Sequence, residues 1–175
     1  MASEDPLWLA QGLPLIWNKL AIKHLLIARL TEDLTALRAS ARDAHEGATH
    51  SEAQAKSKYD THGLELAYLA GSQYERARAI EMQIQQLQRE TFASFGRDDL
   101  IDVGAIVTLR SRAQVETHFF LSPWGAGLRL SLEHASIQVL SPESPLGEKL
   151  LGLGLDDQLP LSPAAEDLWQ VSDLV

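Results

Sequence analysis

Two long segments of the chain repeat apolar residues at the alternating three- and four-residue spacing of a helical seam. From residue 20 to 44 these are Leu20, Ile27, Leu30, Leu34, Leu37, Ala41 and Ala44, with Lys23 the one exception. A second seam runs through Gly63, Leu66, Ala70, Gln73, Ala77, Ile80, Ile84, Leu87 and Thr91. Heptad spacing of this kind predicts coiled-coil helices. Neither segment contains proline, and both are rich in Ala, Leu, Glu, Gln and Arg, all good helix formers. Two such helices in one chain fold back antiparallel. The expected register sets Leu20 against Leu87, Ile27 against Ile80 and Ala44 against Gly63, with the turn inside residues 46–62 and centred near Ala53. Large residues then meet at the base and small ones toward the tip, where they let the helices close tightly. A paired arm of this length reaches on the order of 40 Å.

A hairpin of this kind can serve dimerisation or packing alone. Its tip points to something more. The stretch between Ala44 and Gly63 holds His45, Glu46, His50, Glu52, Lys56, Lys58, Asp60 and His62 and no strong hydrophobe. A polar, carboxylate-bearing end on a narrow arm suits insertion into a partner, although a solvated loop is polar by default. Leu64, Tyr68, Leu69 and Tyr74 fall outside the second seam and form another apolar stripe on that helix. Such a stripe is more often core or dimer contact than ligand site.

Beyond Phe95-Gly96 the period changes. Residues 104–109, 115–121, 127–132 and 136–140 read as strands, and a last strand is expected at 168–171. Residues 145–151 read as a short helix, with Ser144 as N-cap and Pro145 in the first position. The fold class is therefore α+β: an N-terminal extension (residues 1–17), a long antiparallel coiled-coil hairpin (18–95) and a small β-rich domain (98–175).

Charge sharpens the boundary. Residues 18–97 carry 11 Lys/Arg against 10 Asp/Glu, whereas residues 98–175 carry 4 against 12, most of the net −9. A strongly acidic domain argues against independent duplex DNA binding, which needs a basic footprint, and suits a basic protein surface. The absence of cysteine excludes a disulfide framework, a thiolate zinc site and a cysteine nucleophile. The longest uncharged apolar stretch, Pro6 to Trp17, is too short to span a bilayer and is interrupted by Gln11, Gly12 and Pro14. It also lacks the marks of a signal peptide, so the expectation is a soluble, cytoplasmic protein with no membrane contact. The histidines show no zincin spacing, and His118 and His134 read as structural residues in or beside strands. Ser122-Pro-Trp-Gly-Ala-Gly127 has glycines without the Lys-Ser/Thr of a P-loop, and no serine sits in a G-x-S-x-G elbow. The chain offers almost no chemistry as a free-standing enzyme.

The order of parts resembles the Gre family of bacterial transcription elongation (transcript-cleavage) factors, in a GreA/GreB-like branch. The residues that carry the resemblance run from Ile137-Gln-Val-Leu-Ser-Pro-Glu-Ser-Pro through Leu-Gly-Glu-Lys-Leu-Leu-Gly-Leu-Gly-Leu-Asp-Asp157. They are similar to the family's strand, "SP" turn, short helix and "LLGK-x-x-GD" segment. Gly104-Ala-Ile-Val-Thr-Leu109 resembles the strand that opens the same domain, and Lys58 to Ala70 resembles the second hairpin helix. The resemblance implies an FKBP-like second domain that docks at the rim of the secondary channel of bacterial RNA polymerase, through Ser141, Pro142, Pro145 and Leu146. It also implies a hairpin entering that channel toward the RNA 3′ end. The tip carboxylates Glu52, Asp60 and Glu46, ranked in that order, would help hold a Mg2+ shared with the polymerase active site. No metal would be stably bound to the chain itself, which would be a cofactor of the polymerase's own cleavage activity and not an enzyme. The tip departs from the family pattern: Ala48 stands where an ungapped match places Asp. A non-cleaving channel regulator acting by occupancy is therefore the alternative. A prolyl isomerase-like protein-binding module is the third reading, opposed by the scatter of Phe119, Phe120, Trp124 and Trp169.

Overall fold

The computed structural model describes residues 17–49, 62–132, 135–161 and 168–175. Two long helices, α1 (Lys19–Thr49) and α2 (His62–Arg89), run antiparallel and are the hairpin. Asn18 starts α1: its Oδ1 accepts from the Ala21 N–H at 3.0 Å, satisfying one of the free donors of the first turn. The connection between the helices lies in residues 50–61, outside the described residues.

The seam follows the heptads over most of its length. Leu30, Leu34, Ala41 and Ala44 of α1 are buried, as are Ala70, Ala77, Ile84 and Leu87 of α2. Two ends differ from expectation. Leu20 is 59% exposed, and the base of the seam is made instead by Ile22 and Leu26, both fully buried. Those two residues lie on the α1 stripe that faces both α2 and the sheet, which a two-helix heptad does not anticipate. Thr91 is exposed and lies past the end of α2, so it takes no part. The register also shifts. Gly47 faces Leu66, with a built Cβ 3.2 Å from Leu66 Cδ1, whereas the expected pairing would have set residue 60 there. A slip of nearly one heptad preserves the spacing of both seams, so periodicity alone could not choose between the two.

The second part of the chain is a mixed six-stranded sheet. Its strands are β1 (Ile106–Ser111), β2 (Glu116–Leu121), β3 (Arg129–Ser131), β4 (Ser136–Leu140), β5 (Gln158–Pro160) and β6 (Leu168–Leu174), with α3 (Pro145–Leu150) between β4 and β5. Their spatial order is β3-β4-β2-β1-β6-β5, with β2 and β4 parallel and every other neighbour antiparallel. Ser144 caps α3 as expected, its side chain accepting from the Gly147 N–H at 3.1 Å. The strand β5 is missing from the sequence expectation because three residues ending in proline give no period to read. Both edge strands are this short, which limits the open edge available for pairing.

Alternate residues of the central strands point to opposite faces, and each face has its own core. Ile106, Phe120, Leu130, Ile137 and Val139 pack with Ile22, Leu26, Leu30, Ile84 and Leu87 of the hairpin. Val107, Leu109, Phe119, Leu121 and Val171 pack on the other side with Leu140 and with Leu150 of α3. The base of the hairpin is thus one layer of the sheet domain's own core.

Candidate functional site

Three groups of residues hold the base of the hairpin together and seat it on the sheet. The first is at the end of α2, where the last carbonyls of a helix lack intrahelical donors and carry partial negative charge. Lys23 reaches across from α1 and donates to the carbonyls of Gln88 at 2.9 Å and Glu90 at 2.6 Å. The residue that interrupts the first heptad is therefore the cation that closes the second helix. Lys19 donates to the Ala93 carbonyl, and its ammonium lies 4.5 Å from the centre of the Phe95 ring. Burial pushes the Lys19 ammonium down to about 8 from its ordinary 10.5. Lys19 and Lys23 line a cleft of about 490 Å3 at the base, together with Trp17, Leu20, Phe92 and Val175.

The second group joins α2 to the loop after β2. Gln86 Oε1 accepts from Trp124 Nε1 at 2.9 Å, and Gln83 Oε1 accepts from the Gly125 N–H at 3.1 Å. Gly125 has φ +69°, and a methyl group there would run into the Leu26 side chain. A side chain there would carry the cost of the positive φ and would displace the end of Leu26. Gly125 thus serves the close approach of loop to helix, whereas Gly127 supplies a positive φ in open space.

The third group is buried beneath the start of α1. Trp17, the last residue of the expected N-terminal extension, is 7% exposed and meets the His118 ring edge-on at 4.8 Å. His118 Nδ1 bonds Thr108 Oγ1 at 3.0 Å. Burial pulls the His118 imidazole below its usual value, with Glu116 and Asp173 acting in the opposite direction. His118 is a structural residue, as its solitary place in a strand indicated; His134 lies outside the described residues.

Of the tip carboxylates, Glu52 and Asp60 lie outside the described residues, and Glu46 is exposed near the end of α1. Carboxylate oxygens are the ligand type a hard cation takes, but among the described residues no group of three His, Asp or Glu could hold a metal ion. Ser141, Pro142, Pro145 and Leu146 come together where β4 turns into α3. Pro145 is exposed, and the other three are half-buried. Ser141 also holds the turn: its Oγ accepts from the Glu143 N–H at 3.2 Å, and its carbonyl accepts from Ser144 Oγ at 2.7 Å. A side chain on Gly147 would overlap the Ser141 carbonyl, so the turn and the helix fit only around glycine.

The four aromatic residues of the isomerase reading do not converge. Phe119 and Phe120 are buried on opposite faces of the sheet, Trp124 is bonded to the hairpin, and Trp169 packs beside Leu159 and Leu161. No described helix is long and apolar enough to cross a membrane. Sequence reasoning missed Lys23, Gln83 and Gln86 as joint residues. Lys23 had a signal, as the single charged position in an apolar heptad; the two glutamines are ordinary surface residues by pattern.

No protein-family model matches the chain, and no curated protein matches it. Among solved structures it is similar to GreA factor homolog 1 (Gfh1) of Thermus thermophilus. The two are 23% identical over 85% of this chain and 94% of that one, with a TM-score of 0.36. Gfh1 of Thermus aquaticus is 23% identical, with 84% and 92% of the two chains covered and a TM-score of 0.35. The elongation factor GreA/GreB of Nitrosomonas europaea is 15% identical over 55% of this chain and 78% of that chain, at a TM-score of 0.34.

Proposed function

We propose that this chain is an accessory factor of bacterial RNA polymerase that docks by its sheet domain at the rim of the secondary channel and places its hairpin inside. The observation that carries the reading is the segment Ile137–Asp157. The residues that resemble the Gre family's most specific motif fold as β4, a Ser-Pro turn and α3. They belong to a domain that shares its core with a helical hairpin. On this reading the domain is FKBP-like, the turn at Ser141, Pro142, Pro145 and Leu146 faces the polymerase, and the acidic balance of residues 98–175 steers the encounter. The chain acts in the cytoplasm and contributes no catalytic group of its own.

Carboxylates at the tip are the side chains suited to Mg2+, which takes oxygen ligands and keeps several waters. A second Mg2+ at the polymerase active site would supply water activation for in-line attack on the phosphodiester of backtracked RNA. Glu52 is ranked first, since the sequence places it within two residues of the expected turn centre and, unlike Asp60, not at the start of the returning helix; Asp60 and Glu46 follow. The test adds the protein to halted, backtracked elongation complexes and follows the RNA 3′ end. Cleavage stimulated by the parent and abolished by Glu52→Ala, with polymerase binding unchanged, supports the metal-holding role. Equal cleavage by both assigns that role wrongly.

The sequence at Ala48 favours a second reading, occupancy without cleavage. It is supported by polymerase binding with no shortening of the RNA. Failure of the chain to bind polymerase at low salt overturns both readings.

A further inference from the structure

We propose that the cleft at the base of the hairpin binds a small organic anion, a carboxylate or phosphate carried on an apolar or aromatic body. The cleft has a volume of about 490 Å3 and lies where the start of α1, the residues after α2 and Val175 beyond β6 converge. Sites for small organic molecules span roughly 300–1,000 Å3. Its walls divide into two kinds. Trp17, Leu20, Phe92 and Val175 give it an apolar and aromatic side, and Lys19 and Lys23 set two ammonium groups beside that side.

Both cations are held in place but only partly satisfied. An ammonium has three N–H donors. Lys23 spends two on the carbonyls of Gln88 and Glu90, and Lys19 spends one on that of Ala93. Among the described residues neither ammonium has a carboxylate within 4.0 Å. The carbonyls ending α2 oppose them with about half an elementary charge, and the start of α1 contributes about half of the opposite sign. Two ammoniums against the one side-chain carboxylate of the lining, Glu90, leave the side chains of the cleft net positive.

A further donor is unspent. Trp17 is 7% exposed, and its buried Nε1 has no hydrogen-bond partner among the described residues. A buried N–H without an acceptor is costly to keep. Trp17 is part of the wall, so the missing acceptor is what a bound anion can bring. A neutral apolar molecule would leave the two lysines as they are, and a bare anion would leave the apolar wall in water. Only an amphipathic anion uses both sides. Burial lowers the Lys19 ammonium to about 8, and an anion beside it favours the charged form again. The site does not depend on the polymerase reading.

The probes are naphthoate and naphthyl phosphate, titrated into the full chain by calorimetry, with neutral naphthamide and bare acetate as controls. Binding of either probe with a dissociation constant of roughly 0.05–1 mM, about tenfold tighter than both controls, supports the proposal. The tighter of the two names the head group. The bound probe should also raise the thermal unfolding midpoint with its concentration, by mass action. Lys19→Met should weaken binding about fivefold. Lys149→Met removes the same charge from the exposed side of α3 and should leave it unchanged. Between pH 7 and pH 9 the affinity of the parent should fall as Lys19 loses its proton. In Lys19→Met, where Lys23 and Glu90 are the titratable side chains left in the lining, the profile should be flatter. No heat from either probe up to about 5 mM overturns the proposal. So does naphthamide that binds as tightly as naphthoate, a comparison that needs no variant, or equal losses in Lys19→Met and Lys149→Met.

Discussion

The two halves of the hairpin are built from the same heptad pattern and packed by different means. At the base, Ile22, Leu26, Leu30, Ile84 and Leu87 meet each other and the sheet at once. Toward the tip the seam is made by Ala41, Ala44 and Ala70, with Gly47 against Leu66, and no second layer lies behind it among the described residues. Gln73 even brings an amide into this half, with its Oε1 buried and without a hydrogen-bond partner among the described residues. Small residues let helices approach but bury little apolar area, so the base supplies the stability and the outer half supplies a narrow profile. Large apolar side chains are exposed in both halves, Leu64, Tyr68 and Tyr74 in the outer one and Leu20 and Met82 nearer the base. What differs along the one pair of helices is therefore the depth of the core behind the seam and not the exposure of apolar side chains.

The sharpest way to break this comparison is Leu26→Ala. Leu26 is fully buried between hairpin and sheet, and its truncation should cost about 2–5 kcal/mol in urea unfolding. A loss below 1 kcal/mol would deny the base its role. Next is Lys23→Met, which removes two charged hydrogen bonds to the end of α2. Its partial exposure limits the loss to about 1–2 kcal/mol, read by the same measurement. The outer half should respond in the opposite direction. Gln73→Leu replaces an unsatisfied buried amide by an apolar side chain, and should raise stability by about 1 kcal/mol.

The smallest effect concerns pH. His118 has its imidazole pulled down, mainly by burial, so the folded state binds the proton less readily than the unfolded chain does. Its contribution is therefore present above the ordinary histidine value of about 6.5 and is lost as pH falls through the lower folded value. Unfolding midpoints should fall between pH 7 and pH 5 in the parent, and fall less in His118→Gln. Identical pH profiles would remove His118 as the cause.

Most of the fold was legible because its elements are long or regular. Both helices, the N-cap at Ser144 and five of the six strands follow from period and capping chemistry. The failures share one origin: information that is not local. The slip of register leaves each heptad intact, and Leu20 gives way to Ile22 because a third layer, the sheet, recruits a different stripe of α1. Gln83 and Gln86 acquire their role only when the loop at Trp124 and Gly125 arrives beside them. At the candidate site, the turn around Ser141 was readable from its Ser-Pro pattern, whereas the positions of Glu52 and Asp60 lie outside the described residues.

The bond between Gln83 and Gly125 also has a geometric consequence. The 31 residues of α1 give the hairpin a length of about 45 Å. Tilting it by about 10° at the base would move its far end by about 8 Å, several times the span of a metal–oxygen bond. The direction of the hairpin therefore depends on the seating of the loop at Gly125 against Leu26 and Gln83. On the proposed function, a substitution such as Gln83→Ala could leave the tip sequence unchanged and still misdirect the hairpin.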